Sequence, residues 1–292
     1  MLQSSPISKI TLEKREFFVK RDDLIDPYLA GNKYRKLYAL LQTPKNKLKK
    51  IISYGGTQSN AMLAIAAMCK EKSWEFCYYT KPLNSRMKEQ KLGNYFDALS
   101  LAMKHIELED ELYREFIASL RLNLNEDTFI VDQGGADESA IEGLLVLAKE
   151  IREQSKEYNF KAVATPSGTG TTALYLAIAL PEYKVYTTPC VGDVSYLKEQ
   201  MLALHTLPEN LIILPPKQKY HFAKPYLEFL NIYENLKEAG VEFDLLYAPS
   251  LWMSLLEQTT EEILYIHSGG VSGNSSMLER YKKKRMTIEN HP

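Results

Sequence analysis

The feature that most constrains this chain is a rhythm. Short β-rich runs alternate with longer helical runs, and glycine-rich turns fall where several of the strands end. The sequence predicts strands at Ile51–Tyr54, Trp74–Thr80, Met103–Ile106 and Thr128–Val131. Helices are expected between and after them, at Gln58–Lys72, Ser85–Ser100, Asp110–Leu120 and Glu138–Tyr158. The second half continues with strands at Ala162–Thr165, Lys184–Thr187, Leu211–Leu214, Phe243–Tyr247 and Ile263–His267. Its helices are expected at Thr171–Leu180, Tyr226–Ala239 and Ser250–Gln258, and YKKKR reads as a solvated helix end. Such alternation predicts an α/β fold with largely parallel sheets. Open sheets of that kind gather ligand-binding loops at the carboxyl ends of their strands.

A length of 292 residues allows one large domain or two packed ones. Lys plus Arg number 36 against 37 Asp plus Glu, a net charge of −1. That balance argues against a protein that lives on nucleic-acid phosphates, and against disorder. Cys69, Cys77 and Cys190 form no CxxC pair and no metal-ligand spacing with the five histidines. A disulfide framework and a structural zinc are therefore not expected, and no metal is. With no signal pattern and no run of ~20 apolar residues, a cytoplasmic protein without a membrane span is the expectation. Tyrosine is abundant, 19 against 10 phenylalanines.

Three loops could carry chemistry. Ser167-Gly168-Thr169-Gly170-Thr171-Thr172 lies between a strand and a helix. Its amides and hydroxyls, at a helix N-terminus, suit a phosphate. It lacks both the lysine of a Walker A loop and GxGxxG spacing, so neither a nucleoside triphosphate nor a dinucleotide is indicated. The same residues also suit a plain N-cap and tight turn. Gly55-Gly56-Thr57-Gln58-Ser59-Asn60 gathers donors at another helix entry and suits either a carboxylate or ordinary capping. Gly31-Asn32-Lys33-Tyr34-Arg35-Lys36-Leu37 places Lys33 and Lys36 one helical turn apart, as a solvated basic face also would.

Taken in order, these segments resemble the pyridoxal-phosphate enzymes that include 1-aminocyclopropane-1-carboxylate deaminase and D-cysteine desulfhydrase. The resemblance runs nearly end to end: FVKRDDLIDPYLAGNKYRKL at 18–37, GGTQSN at 55–60, QGGADESAIEG at 133–143, SGTGTT at 167–172, KYHFAKPY at 219–226, FDLLY at 243–247 and IHSGG at 266–270. It implies the two-domain, three-layer tryptophan synthase β-like fold, fold type II. Residues 1–37 and 150–292 would form the large domain and 38–149 a smaller inserted α/β domain, with the cofactor between them.

The resemblance also implies roles. Lys33 matches the lysine that bonds to pyridoxal phosphate, and Lys36 a phosphate contact. Thr169, Gly170, Thr171 and Thr172 match the phosphate cradle. Asn60 matches the partner of the cofactor's ring hydroxyl. Ser59 matches a serine that meets the substrate carboxylate, with Gln58 and Asn60 beside it. Tyr247, and Tyr226 rather than Tyr220, match the active-site tyrosines. Relatives are usually homodimers or larger.

Departures bear on chemistry and substrate. Where the family has Glu, Thr or Ser facing the pyridine nitrogen, this chain has Ala248, whose methyl neither donates nor accepts a hydrogen bond. Without another partner the ring would be a weaker electron sink. Pro249-Ser250 replaces the family's Gly-Lys, and Ala61 a usually polar residue. Members that open the cyclopropane ring share Glu at the first position and Leu before the last Gly-Gly. Members acting on D-cysteine carry small hydroxyl residues at both. Ala248 and Ser268 lie nearer the second pattern. The expected activity is a D-cysteine desulfhydrase-like deaminase or lyase acting on a small amino acid. Deamination of 1-aminocyclopropane-1-carboxylate is the alternative within the class. A catalytically degenerate pyridoxal-phosphate binder is an alternative of another class, and a sugar-phosphate or nucleotide module, which leaves Lys33 unexplained, ranks lowest.

Overall fold

The computed structural model describes residues 4–29, 31–83, 93–122, 124–135 and 139–286. Ten strands are assigned among them: β1 Ile7–Leu12, β2 Arg15–Lys20, β3 Lys50–Tyr54, β4 Glu75–Thr80, β5 Lys104–Glu107, β6 Thr128–Val131, β7 Ala162–Ala164, β8 Lys184–Thr187, β9 Leu211–Ile213 and β10 Ile263–Ile266. They form two sheets. One has the order β1-β2-β10-β7-β8-β9, the other β5-β4-β3-β6. Only the β1–β2 hairpin is antiparallel; every other described pairing is parallel.

Parallel sheets need apolar cover on both faces, and successive strand residues point to opposite faces. The larger sheet obeys this residue by residue. Phe18, Val163, Leu264 and Ile266 enter one buried cluster with the helices Ala140–Gln154 and Thr171–Ala179. Phe17, Val19, Ala162, Ala164, Ile263 and Tyr265 enter the other, with Trp252 of the helix Ala248–Gln258. The smaller sheet repeats the rule. Ile51, Phe76 and Tyr78 pack under the helix Asn60–Lys72, while Ile52, Cys77 and Ile130 face the other way.

The expected strands at Thr128–Val131 and Lys184–Thr187 have the bounds observed. Four differences matter. The N-terminal hairpin was not expected. The helix Val194–Leu202, capped by Asp193 through its acceptance of Tyr196 N at 2.9 Å, was also missed. The expected helix Ser85–Ser100 is described only as Asn94–Ser100; its earlier part lies outside the described residues. Phe243–Tyr247 is not a strand but an irregular turn running into the helix that starts at Ala248. Side chains there take the place of a ladder. Asp244 Oδ1 accepts from Leu246 N at 3.0 Å and Tyr247 N at 2.6 Å. Asn274 Oδ1 accepts from Leu245 N at 2.9 Å, and Asn274 Nδ2 donates to Phe243 O at 2.9 Å. With those groups satisfied, a sheet pairing would add little.

Candidate active site

The carboxyl ends of β3, β6, β7 and β10 lead into Gly55-Gly56, Gly134, Ser167–Thr172 and Ser268, respectively. Residues from three of those loops close on the short helix Gly31–Lys36 around a cleft. Asn32, Lys33, Lys36, Asn60, Gly134, Pro166–Thr172, Tyr247 and Ser268 line it. Nine positions singled out in the sequence thus meet here: Lys33, Lys36, Asn60, Thr169, Gly170, Thr171, Thr172, Tyr247 and Ser268. A second compartment shares Lys33, Asn60 and Ser268 and extends past Asp23, Tyr28 and Gly269–Ser272.

The backbone explains how the lysines reach the cleft. Gly31 has φ +59°, and a Cβ there would lie 2.1 Å from the carbonyl carbon and oxygen of Ser268. Only glycine lets the helix entry sit against that strand-end loop. Asn32 N donates to Ser268 O at 3.3 Å and joins the two segments. Arg35 fixes the helix from behind. Its guanidinium donates to both oxygens of Asp22, at 2.8 and 2.9 Å, and to both oxygens of Glu150, at 2.7 and 2.9 Å. Lys20 Nζ adds an ion pair to Glu150 at 2.8 Å. Arg35 is only 1% exposed, so Lys33 and Lys36 are held at the cleft by a rigid buried fork.

Burial lowers the Lys33 amine to about 8, with Asp244 opposing the shift. Burial and then the charge of Lys33 hold Lys36 well below the ordinary lysine range. Lys36 Nζ donates to Gly134 O at 3.2 Å. Two amines thus share a site that an anion would neutralise. Opposite them, Gly170 begins the helix Thr171–Ala179 with φ +80°. Thr169 Oγ1 and Thr171 Oγ1 are 3.0 Å apart, and Thr172 Oγ1 is buried without a hydrogen-bond partner among the described residues. An unpaired buried hydroxyl and open helix amides are the donor set a phosphate needs. The residues therefore fit a phosphorylated carbonyl compound, with the phosphate on the threonines and Lys36 and the carbonyl at Lys33.

Other expected residues lie elsewhere. Ser59 is the N-cap of the helix Asn60–Lys72, its side chain accepting from Met62 N at 3.2 Å, and neither Ser59 nor Gln58 is in the cleft lining. The capping reading of that loop holds, and Asn60 alone carries its side chain into the cleft. Tyr226 is also outside the lining. Its hydroxyl accepts from His221 N at 2.9 Å and its ring packs on Tyr220 and Phe229. The same segment sends Phe222 against the Tyr247 ring instead, centroids 5.2 Å apart. Ala248 is buried in the core with Trp252, not in the cleft lining. Asn32, Pro166 and Ser167 were missed as lining residues, although each neighbours a motif position.

A lysine amine poised beside a phosphate cradle, in a cleft between parallel sheets, defines a protein built to hold a phosphorylated aldehyde. The family model described as pyridoxal-phosphate dependent enzyme matches residues 1–192, and the chain belongs to that family. A putative 1-aminocyclopropane-1-carboxylate deaminase from Pyrococcus furiosus is 26% identical over 286 residues, covering 88% of this chain and 85% of that one. D-cysteine desulfhydrase from Serratia proteamaculans is 24% identical over 287 residues, covering 88% and 87%. A crystal structure of an ACC deaminase homologue superposes with a TM-score of 0.74 at 19% identity, covering 95% and 94%. The fold is therefore that of fold type II pyridoxal-phosphate enzymes. Among the described residues no helix is long and apolar enough to cross a membrane.

Proposed function

We propose that the chain deaminates a small amino acid with pyridoxal phosphate, by β-elimination of the D-cysteine type. The observation that carries this is the single cleft that joins Lys33, the Thr169–Thr172 cradle, Tyr247 and Ser268. When bound, pyridoxal phosphate supplies the carbonyl that takes up an amine and the conjugated ring that draws charge from the substrate's α-carbon. Thr169, Thr171, Thr172, Lys36 and the helix amides hold its phosphate. Asn60 would meet the ring hydroxyl and, with the N-terminus of its helix, the substrate carboxylate. Asn60 Oδ1 already accepts from Asn94 Nδ2 at 2.7 Å, which leaves its Nδ2 to donate.

Lys33 Nζ, lowered to about 8, is neutral in about one molecule in ten at pH 7. The neutral form of that amine is the one that would hold the cofactor's carbonyl and, once displaced by the substrate's amine, would be free to accept the proton from the α-carbon. The balanced reaction for D-cysteine consumes one water and releases hydrogen sulfide, ammonia and pyruvate. The small hydroxyl of Ser268 at the junction of the two compartments favours that substrate. The names of several relatives favour 1-aminocyclopropane-1-carboxylate instead. Ala248, which gives the pyridine nitrogen no side-chain partner, favours a slow or degenerate member.

The two sheets are read as the cores of two domains, 1–37 with 150–292 and 38–149, working as a homodimer in the cytoplasm, although the helix Ala140–Gln154, which spans the 149/150 boundary, packs on the larger sheet and belongs with the large domain. Three unbridged cysteines support the reducing compartment. The test is the purified protein with added pyridoxal phosphate. It should turn yellow, and Lys33→Ala should abolish the visible band. D-cysteine should give sulfide and pyruvate, whereas 2-oxobutanoate from 1-aminocyclopropane-1-carboxylate would select the alternative. Failure of the wild-type protein to take up the cofactor would overturn the reading.

A further inference from the structure

Lys33 stands between the two compartments of the cleft. The threonine cradle and Lys36 line the first alone, while Lys33, Asn60 and Ser268 line both. A substrate whose amine takes the place of Lys33 and whose carboxylate meets Asn60 has its α-carbon at that junction. With the cofactor's phosphate end seated in the first compartment, a substrate side chain extends into the second.

The polar side chains of that compartment are already committed. Asp23 Oδ1 accepts from Arg21 Nε at 2.9 Å and Oδ2 from Arg21 Nη2 at 2.7 Å. Ser272 Oγ donates to Asn94 Oδ1 at 2.9 Å. The remaining side-chain walls are apolar in body: Pro27, Tyr28, Leu63 and Val271. Leu63 is 2% exposed and follows Asn60 by three residues, on the same helix face. Tyr28 and Val271 are 44% and 37% exposed, so two large side chains at this compartment still hold apolar surface in water. Their backbones are fixed. Tyr28 N donates to Asp26 Oδ1 at 2.8 Å, and Gly270, with φ +86°, turns the chain into Val271. A Cβ on Gly270 would come within 2.5 Å of Asn60 Nδ2, so the Val271 loop packs directly on Asn60. An anionic side chain would face the Asp23 carboxylate, and the only basic residue lining the compartment is Lys33, which the reaction occupies.

We propose that the second compartment is the specificity pocket, with Leu63, Tyr28 and Val271 as its determinants, and that it takes a short uncharged apolar side chain. The substrate class is then an S-alkyl-D-cysteine rather than D-cysteine itself. The proposal rests on the reading of Lys33 as the residue that the substrate's amine displaces. Lys33 takes the proton of the α-carbon, and the bond from Cβ to sulfur breaks with its electron pair going to sulfur, which leaves as the thiol after taking up a proton. The sum consumes one water and releases one alkyl thiol, one ammonium and one pyruvate.

The experiment titrates pyridoxal-phosphate-loaded protein with D-alanine, D-2-aminobutyrate, D-norvaline and D-norleucine, none of which carries a leaving group. Dissociation constants are read from the change in the cofactor's visible band. Each added methylene should tighten binding about fourfold, the worth of one buried CH2. In Val271→Asp the gain should shrink to less than about twofold per step, and in Tyr28→Ser the steps to the longer chains should shrink likewise. In turnover, S-ethyl-D-cysteine should show a KM about tenfold or more below that of D-cysteine and release ethanethiol and pyruvate in equal amounts. A flat series in the wild type, slopes unchanged in both variants, or consumption of D-cysteine without any of S-ethyl-D-cysteine would overturn the proposal. Wild-type protein that never takes up pyridoxal phosphate would instead sink the underlying reading.

Discussion

Replacing Arg35 by methionine should weaken the fold and the site together. The substitution keeps an unbranched, buried chain of similar reach and deletes four charge-assisted hydrogen bonds. It leaves Asp22 with the Ser5 hydroxyl and Glu150 with Lys20 alone. Breaking a buried ion pair from one side costs about 3–5 kcal/mol, because the remaining charge stays desolvated. At roughly 2–4 °C per kcal/mol for a chain of this size, melting should fall by about 6–20 °C. Calorimetry on cofactor-free protein measures it, and a titration with pyridoxal phosphate should show weaker binding, since Lys33 and Lys36 share Arg35's helix. The same network sets a pH dependence. Burial pushes the Glu150 carboxyl up, but hydrogen bonds and charge from Arg35, then Lys20, outweigh it and hold the group below the usual range. A depressed folded-state value means the stabilisation is complete above the unfolded value and is lost as pH falls through the folded one. The melting temperature of the wild type should therefore drop below about pH 4, and less steeply in Arg35→Met. A variant melting within about 2 °C of wild type, with unchanged cofactor affinity, would refute the view that this fork holds the lysines.

Gly31→Ala should cost at least about 1–2 kcal/mol for the positive φ alone, and more because the new Cβ meets the Ser268 backbone. Its cofactor affinity should fall further than its melting temperature suggests, which an absorbance titration would reveal. Thr172→Val should leave cofactor-free protein as stable as wild type or up to about 1 kcal/mol more so, since it removes an unpaired buried hydroxyl. Its affinity for inorganic phosphate and for pyridoxal phosphate should drop, as calorimetric titration would show.

Much of this architecture was legible because hydrophobic period and loop chemistry agree. Val163 and Leu264 sit in runs apolar at every position, as strands covered on both faces must be. The N-terminal hairpin escaped because its turn carries the wrong signature. Glu13 and Lys14 take positive φ without the glycine or asparagine that usually announces such a turn. The run Phe243–Tyr247 looks like a strand, but Asp244 and Asn274 satisfy its backbone, and Asn274 lies in another helix. The contiguous motifs made Lys33 and Thr169–Thr172 easy to single out, and the fold brings them to one cleft. Phe222 was not legible, because its contact with Tyr247 depends on how two distant loops fold back. Ser59 shows the reverse limit. A motif identified the loop, while local capping decides where its hydroxyl points.

The pairing of β2 with β10 has a consequence for synthesis on the ribosome. Phe18, Val19 and Lys20 find their parallel partners in Leu264, Tyr265 and Ile266. The strand that leads toward Lys33 therefore waits, half-covered, until residues 263–266 have emerged, while the intervening four-stranded sheet can already close. Long-range parallel pairing is slow and exposes apolar edges while it waits. A nascent chain arrested before Ile263 would carry Lys33 without the Ser268 loop against which its helix is seated. The seat of the helix that carries Lys33 is thus completed only after β10 and the Ser268 loop have been made.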